Sequence, residues 1–249
     1  MASSIAKSMV ARAINTLGPK RVLRSIRHGN SALVGAYVDS DYPKHLHDGA
    51  FLAVYERAKE FTLVDVLRQH ELWSLVQQAG KLAPGDILEV GVWRGGTALI
   101  VGKAMQRFGV EGQLYIADTF TGVVKAGVND NLYAGGEHAD ASEEQVRALM
   151  ARNGVVGTEI LTGIFPEDTS DRIRGALRMV HIDVDVYQGA RDVVEWAYDR
   201  LVPQGFFVFD DYGCASCSGV TGLCEEYETD SRFIFVHNWN GHCVLIKRG

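Results

Sequence analysis

The chain reads as an α/β protein: a mostly parallel sheet with helices on both faces, finished by an antiparallel strand and preceded by a helical region. Three observations predict this. From Pro84 onward short apolar runs alternate with helical patterns. The first run, Ile87-Leu88-Glu89-Val90, breaks into Gly91, Gly95 and Gly96 before a helical pattern begins. Asn240-Gly241 separates the last two apolar runs, which is a hairpin signal.

In order, residues 86–90, 113–117, 159–162, 178–182 and 205–209 are expected as strands, with helices over 97–108, 142–153 and 189–201 between them. Ser142 followed by Glu143, Glu144 and Gln145 supplies a capped helix start. Residues 233–237 and 242–246 form the closing hairpin. Before the sheet, Val64, Leu67, Leu72, Leu75 and Val76 fall at helical spacing, suited to a helix that covers the sheet or shapes a pocket. The organisation expected is a helical amino-terminal region and cap over residues 1–82, then a sheet domain over 83–249. Residues 119–141 fit no regular element. Rich in Gly, Asn and Asp, that stretch is long enough to act as a lid-like loop.

A length of 249 residues, 47% hydrophobic and 22% charged, allows one sizeable core. The net charge of −6 gives no surplus of Lys and Arg for phosphates, so a nucleic-acid partner is not expected. No apolar run is long enough to span a membrane. Four cysteines do not make a disulfide framework, and a reducing, cytoplasmic setting is expected. Residues 1–28 carry six basic side chains and no acid, with Ile5, Met9, Val10, Ala13, Ile14 and Leu17 at helical spacing. Such a helix suits packing on protein, either the domain or a second subunit of a homo-oligomer; an anionic membrane or a transit role is the rival reading.

Three strand ends carry the chemistry. Glu89 and the glycines make a strand-to-helix loop of the kind that borders a nucleotide-type ligand at a sheet's switch point. The spacing is neither Gly-x-Gly-x-x-Gly nor a phosphate-cradling loop ending in Lys-Ser/Thr. A carboxylate at its entrance suits a ligand carrying cationic charge. The second strand ends in Asp118, placed to hydrogen-bond a ribose diol. The fourth and fifth strands end in Asp183-Val184-Asp185 and Asp210-Asp211, bringing up to four carboxylates to one edge. Acids so crowded repel one another unless a cation sits among them, and hard oxygen ligands suit Mg²⁺.

With these motifs in hand, Glu-Val-Gly-Val-Trp-Arg-Gly-Gly, Ile-Asp-x-Asp-x-Tyr, and Asp-Asp-Tyr-Gly followed by Cys217-x-Gly219 together resemble the macrocin O-methyltransferase family. The resemblance runs over roughly residues 62–246. It implies the Rossmann-like class I methyltransferase fold, a seven-stranded mostly parallel sheet with an antiparallel last strand. It also implies S-adenosylmethionine as cofactor, Mg²⁺ as metal and a hydroxylated small molecule as acceptor. On this basis Glu89 and the glycines, Gly91 and Gly95 among them, border the methionine end of the cofactor, and Asp118 holds the ribose. Trp93, Arg94, Thr97 and Thr119 are further cofactor-binding positions, and Gly163 and Phe165 lie beside the adenine. Asp183, Asp210 and Asp211 match the metal ligands, Asp183 also facing the cofactor. Asp185 matches a candidate general base, with Val184 standing where the family's Asp-Gly-Asp has glycine.

His138, in the lid-like loop, is the second candidate base; it and His242 also read as surface or packing histidines. Cys214, Cys217 and Cys224 read as structural thiols rather than zinc or redox ligands. Two rival functions stay open at this point: a nicotinamide-dependent oxidoreductase on the same sheet type, and a non-catalytic protein keeping the pocket. Among acceptors, a sugar hydroxyl on a natural product leads and a catechol-like diol follows.

Overall fold

The structure is a computed structural model that describes residues 47–238 and 240–249, together with a two-residue antiparallel ladder pairing Arg27–His28 with Ser31–Ala32. The chain divides into two compact units, Met1–Lys44 and His45–Gly249. The expected basic helix over residues 5–17 lies outside the described residues.

The second unit contains seven strands: β1 (Asp86–Val90), β2 (Leu114–Asp118), β3 (Thr158–Thr162), β4 (Leu177–Ile182), β5 (Leu201–Phe209), β6 (Phe233–His237) and β7 (Cys243–Lys247). Its helices of more than one turn are α1 (Gly49–Ala58), α2 (Val66–Ala79), α3 (Gly96–Phe108), α4 (Glu143–Arg152), α5 (Tyr187–Tyr198) and α6 (Ser218–Glu228). Strand order is β3-β2-β1-β4-β5-β7-β6. The first five strands pair in parallel, and β7 is inserted antiparallel to both β5 and β6.

Alternation along each strand divides the interior into two cores. Ile87, Ile116, Met179 and Val208 face α1, α2, α3 and α4, whereas Leu88, Ala117, Val180 and Phe207 face α5 and α6. Helices α1 and α2, read from the sequence as part of a preceding region, thus share a core with the sheet through Phe51, Leu72 and Trp73. Each is started by an aspartate that accepts two backbone N–H groups: Asp48 for α1 and Asp65 for α2. Ser142 caps α4 through the Gln145 N–H at 3.3 Å, as its spacing predicts.

Two elements differ from the sequence reading. Helix α6 was not expected, yet Val220, Leu223, Cys224 and Tyr227 form its buried stripe. Strand β5 begins at Leu201 rather than residue 205. A register shift between Leu177 and Met179 absorbs Pro203 and the left-handed Gln204 (φ 64°), which mask strand character in the sequence. The order places β1 between β2 and β4, so chains leaving these strands diverge and open a crevice at their carboxyl ends.

Candidate active site

A cavity of about 260 Å³ occupies that crevice. Its walls include Gly91, Trp93, Thr97, Asp118, Thr119, Gly163 and Phe165 from β1, β2, β3 and the segments after them. Asp183, Asp185, Asp210 and Asp211 come from the ends of β4 and β5, and His138 from the 119–141 loop. Most sequence-predicted site residues therefore meet around one space. Glu89, Arg94 and Gly95 do not line it. Glu89 is sealed in the core with its Oε1 3.1 Å from His181 Nδ1, and Arg94 lies over the Trp93 ring and pairs with Asp140.

The glycine loop is shaped chiefly by protein. Gly91 has φ +83°, and a Cβ there would meet the Asp183 carbonyl oxygen at 1.8 Å. Gly95, at φ +87°, packs against Val146, and Gly96 against Ala58 and Phe61. The close approach read from the sequence is thus largely one of β1 to the β4 loop and of α3 to α1 and α4. Gly91→Ala is expected to destabilise the fold by about 2–4 kcal/mol, since it combines left-handed strain with a clash against backbone that cannot yield. Urea unfolding checks this; a change under half a kilocalorie would mean that the loop and Asp183 move apart freely.

Asp118 closes the other side of the loop. Its Oδ2 accepts from the Val92 and Trp93 N–H groups at 2.8 and 2.9 Å, and Oδ1 accepts from Phe120 N–H at 2.8 Å. A carboxylate offers roughly four acceptor positions, so one position on Oδ1 is left for a ligand. The Trp93 indole and the Arg94 guanidinium both hold Asp140, tying the end of the 119–141 loop to the glycine loop. Asp130 accepts from Tyr187 N–H at 2.9 Å and Lys125 bridges Glu167 and Asp192, so the loop is anchored at several points across the opening.

The carboxylates differ sharply in their surroundings. Asp210 is satisfied on both oxygens: Arg68 bonds Oδ2 and also the backbone carbonyl, and His242 Nε2 lies 3.0 Å from Oδ1. His242 is in turn held by Glu71, whose carboxylate also takes Asn238 and Asn240. Burial works against the Asp210 charge, but these partners hold its carboxyl well below the usual range. His181, with Nε2 3.8 Å from Asp210, is pushed up to about 9; burial opposes the charge and is outweighed by Asp210 and Glu89.

Asp183 accepts no side-chain hydrogen bond among the described residues. Burial first, then repulsion from Asp210, Asp211 and Asp185, raises its carboxyl well above the ordinary value. Asp211 is raised for the same reasons, although Asp185 N–H and the Cys217 thiol donate to it. Oxygens of Asp183, Asp210 and Asp211 lie within 4.8 Å of one another. Hard oxygen donors at this spacing, one of them unpartnered and two disfavoured as anions, fit a divalent cation. Asp185 sits in the left-handed region (φ 66°) beside Val184, pinned by its N–H to Asp211 Oδ2 at 3.0 Å. Its carboxyl is raised by burial, against the pull of Tyr133, His138 and Cys217. Tyr133 also places its hydroxyl 3.4 Å from His138 Nε2, so both candidate bases meet at one phenol.

Sequence reasoning missed Arg68, Glu71, His181 and Tyr133. Arg68 and Glu71 are adjacent to apolar positions in the α2 pattern, but their partners lie more than 140 residues away, and spacing carries no such signal.

The family model described as macrocin-O-methyltransferase (TylF) matches residues 58–233. A tetracenomycin-C 4'-O-methyltransferase acting on the 8-demethyl-8-(2,3-dimethoxy-alpha-L-rhamnosyl) compound, from Streptomyces olivaceus, is 30% identical over 144 residues, 54% of this chain and 55% of that protein. Mycinamicin III 3''-O-methyltransferase of Micromonospora griseorubida is 30% identical over 169 residues, 63% of this chain and 66% of that protein. The chain thus spans between about half and two thirds of these relatives' lengths. Among solved structures, the O-methyltransferase NovP superposes with a TM-score of 0.65 at 23% identity, covering 76% of this chain and 83% of NovP. The calicheamicin methyltransferase CalS11 gives 0.59 at 14% identity, covering 89% and 99%. The sheet is that of the Rossmann-like class I methyltransferases, and the family match over residues 58–233 shows that the chain belongs to the macrocin O-methyltransferase family.

Proposed function

We propose that the protein transfers the methyl group of S-adenosylmethionine to a hydroxyl of a small molecule, with a natural-product sugar as acceptor class and Mg²⁺ as metal. The observation that carries this is the single cavity joining the glycine loop and Asp118 to the carboxylates of β4 and β5. The names of the relatives, 4'-O- and 3''-O-methyltransferases of natural products, supply the acceptor class. Asp118 and Thr119 would face the ribose, Gly163 and Phe165 the adenine, and Gly91, Trp93 and Thr97 the methionine end. Asp183, Asp210 and Asp211 would hold the metal, which supplies Lewis acidity to an acceptor oxygen.

The chain's own residues do the rest. An alkyl hydroxyl is a poor nucleophile until its proton leaves, so a base must sit within hydrogen-bond reach. Asp185 suits that role because its raised carboxyl holds a proton better than an ordinary aspartate and its backbone is fixed against Asp211. His138 stands one hydrogen bond further out, through Tyr133. The anchored 119–141 loop covers the reacting atoms and limits the water that would compete with the acceptor.

The test is formation of S-adenosylhomocysteine and a methylated product from glycosylated acceptors, with and without a chelator. Methyl transfer that needs Mg²⁺ is expected. Transfer unaffected by chelation would remove the metal from the reading, and failure to bind S-adenosylmethionine in calorimetry would remove the reading itself. In the same calorimetric assay, Asp118→Asn is expected to weaken cofactor binding about tenfold, through one lost charge-assisted bond and a loosened Val92–Trp93 turn. Unchanged affinity would take Asp118 off the ribose.

A further inference from the structure

The four cysteines are free thiols and fall into two pairs with different surroundings. Cys224 and Cys243 are fully buried against each other between α6 and β7, as structural thiols should be. Cys214 and Cys217 are also in contact, but Cys214 is half-buried and both line the cavity. Residues 214–217 form a turn closed by Cys217 N–H on the Cys214 carbonyl at 3.1 Å. A four-residue turn keeps its end Cα atoms within about 7 Å, overlapping the roughly 4.4–6.8 Å that a disulfide spans. Ser216 Oγ lies 3.0 Å from Cys214 Sγ and 3.5 Å from Cys217 Sγ. Cys217 sits at the start of α6 and donates its S–H to Asp211 Oδ1 at 3.4 Å and Asp185 Oδ1 at 3.6 Å.

We propose that Cys214 and Cys217 form a redox modification site: exchange with a small-molecule disulfide of the glutathione type links them, and the bond withdraws the Cys217 S–H from Asp211 and Asp185. In the first step Cys214 sulfur attacks one sulfur of the oxidised glutathione, whose S–S bond breaks as a glutathione thiolate leaves. Cys217 sulfur then attacks Cys214 sulfur and expels the second glutathione. The protein dithiol is oxidised, glutathione disulfide is reduced, and the two cysteine protons end on two glutathione thiols. Cys214 makes the first attack because it is half-buried at the cavity wall, whereas Cys217 is 2% exposed. The oxidised state leaves Asp211 and Asp185 short of a donor, next to carboxyls already held up by mutual repulsion. The consequence for turnover rests on the methyltransferase reading above; the modification itself does not.

The experiment incubates the reduced full-length protein in glutathione buffers of rising oxidised fraction, quenches with acid, alkylates after unfolding and maps peptides by mass. Expected is a Cys214–Cys217 disulfide reversed by dithiothreitol, with Cys224 and Cys243 recovered alkylated. Cys217→Ser is expected to trap one glutathione on Cys214, and Cys214→Ser to leave Cys217 unmodified. Cys214 and Cys217 staying alkylated throughout, or Cys224 and Cys243 oxidising just as readily, overturns the site. Mg²⁺-dependent turnover of the oxidised protein is expected to fall about tenfold, the scale of a lost hydrogen bond to a charged group. Cys214→Ser should keep its own reduced-state rate through the same treatment. A mapped disulfide with undiminished turnover overturns the coupling to the acids. If no methyl transfer is seen in either redox state, the peptide map still decides the site.

Discussion

Asp210→Asn is expected to lower unfolding stability by about 3–5 kcal/mol and to abolish turnover, the larger of the two substitution effects on the fold. The side chain is 4% exposed and its two oxygens serve cationic or donor groups on both sides, Arg68 on one and His242 on the other. An amide can keep its oxygen on Arg68 and turn its N–H₂ toward His242 Nε2, but it carries no charge. Arg68, only 19% exposed, is then left with the half-exposed Asp65 as its ion-pair partner among the described residues. Breaking one partner of a buried ionic group costs more than the pair contributes, because the remaining charge stays desolvated. Glu71 does not rescue it, being spent on His242, Asn238 and Asn240. Urea denaturation with circular dichroism, in the absence of metal, measures the loss. A stable Asp210→Asn protein that has lost only activity would show that Arg68 finds another partner and that Asp210 is purely a ligand.

How far the sequence reveals this follows from which signals are local. Strand β1 and the turn after it were legible because an apolar run, an acid and glycines lie within eleven residues. The carboxylates were legible because each closes an apolar strand, and parallel strands deliver their ends to one edge. The antiparallel pairing of β6 and β7 was legible from Asn240-Gly241 and the flanking apolar residues. What could not be read depends on tertiary placement. Nothing around Arg68 in α2 indicates Asp210, and nothing around Glu71 indicates His242. Helix α6 was available in principle, through the Val220, Leu223, Cys224 and Tyr227 stripe, but Gly219 and Gly222 weaken its helical look. The glycines illustrate a third case: the positions were right, but the neighbours that demand them, Asp183 backbone, Val146 and Phe61, come from distant segments.

Asp183→Asn should behave in the opposite way to Asp210→Asn: no loss of stability without metal, yet a fall in turnover of about 100-fold or more. Asp183 has no donor to lose. Its carboxyl is half-buried beside Asp210, Asp211 and Asp185, which oppose its charge, while Arg68 works in its favour. An acid whose pKa is raised by folding costs stability progressively as pH climbs above its unfolded value of about 3.9, because only the unfolded chain releases the proton freely. Replacing it with a neutral isostere removes that cost, so the variant should equal or exceed the parent in melting temperature near neutral pH. The parent has a compensation that the variant lacks. Mg²⁺ among Asp183, Asp210 and Asp211 would turn repulsion into attraction and raise the parent's melting temperature as ligand binding to the native state requires. The variant, short of one negative ligand, should show little Mg²⁺-induced shift at concentrations that saturate the parent, and excess Mg²⁺ should restore part of its turnover. Differential scanning fluorimetry with and without Mg²⁺, beside the product assay, separates these effects. If Asp183→Asn melts lower than the parent without metal, the carboxylate has a structural partner and the repulsion argument fails. If both proteins respond equally to Mg²⁺, the cation binds elsewhere and Asp183 must act on the cofactor alone.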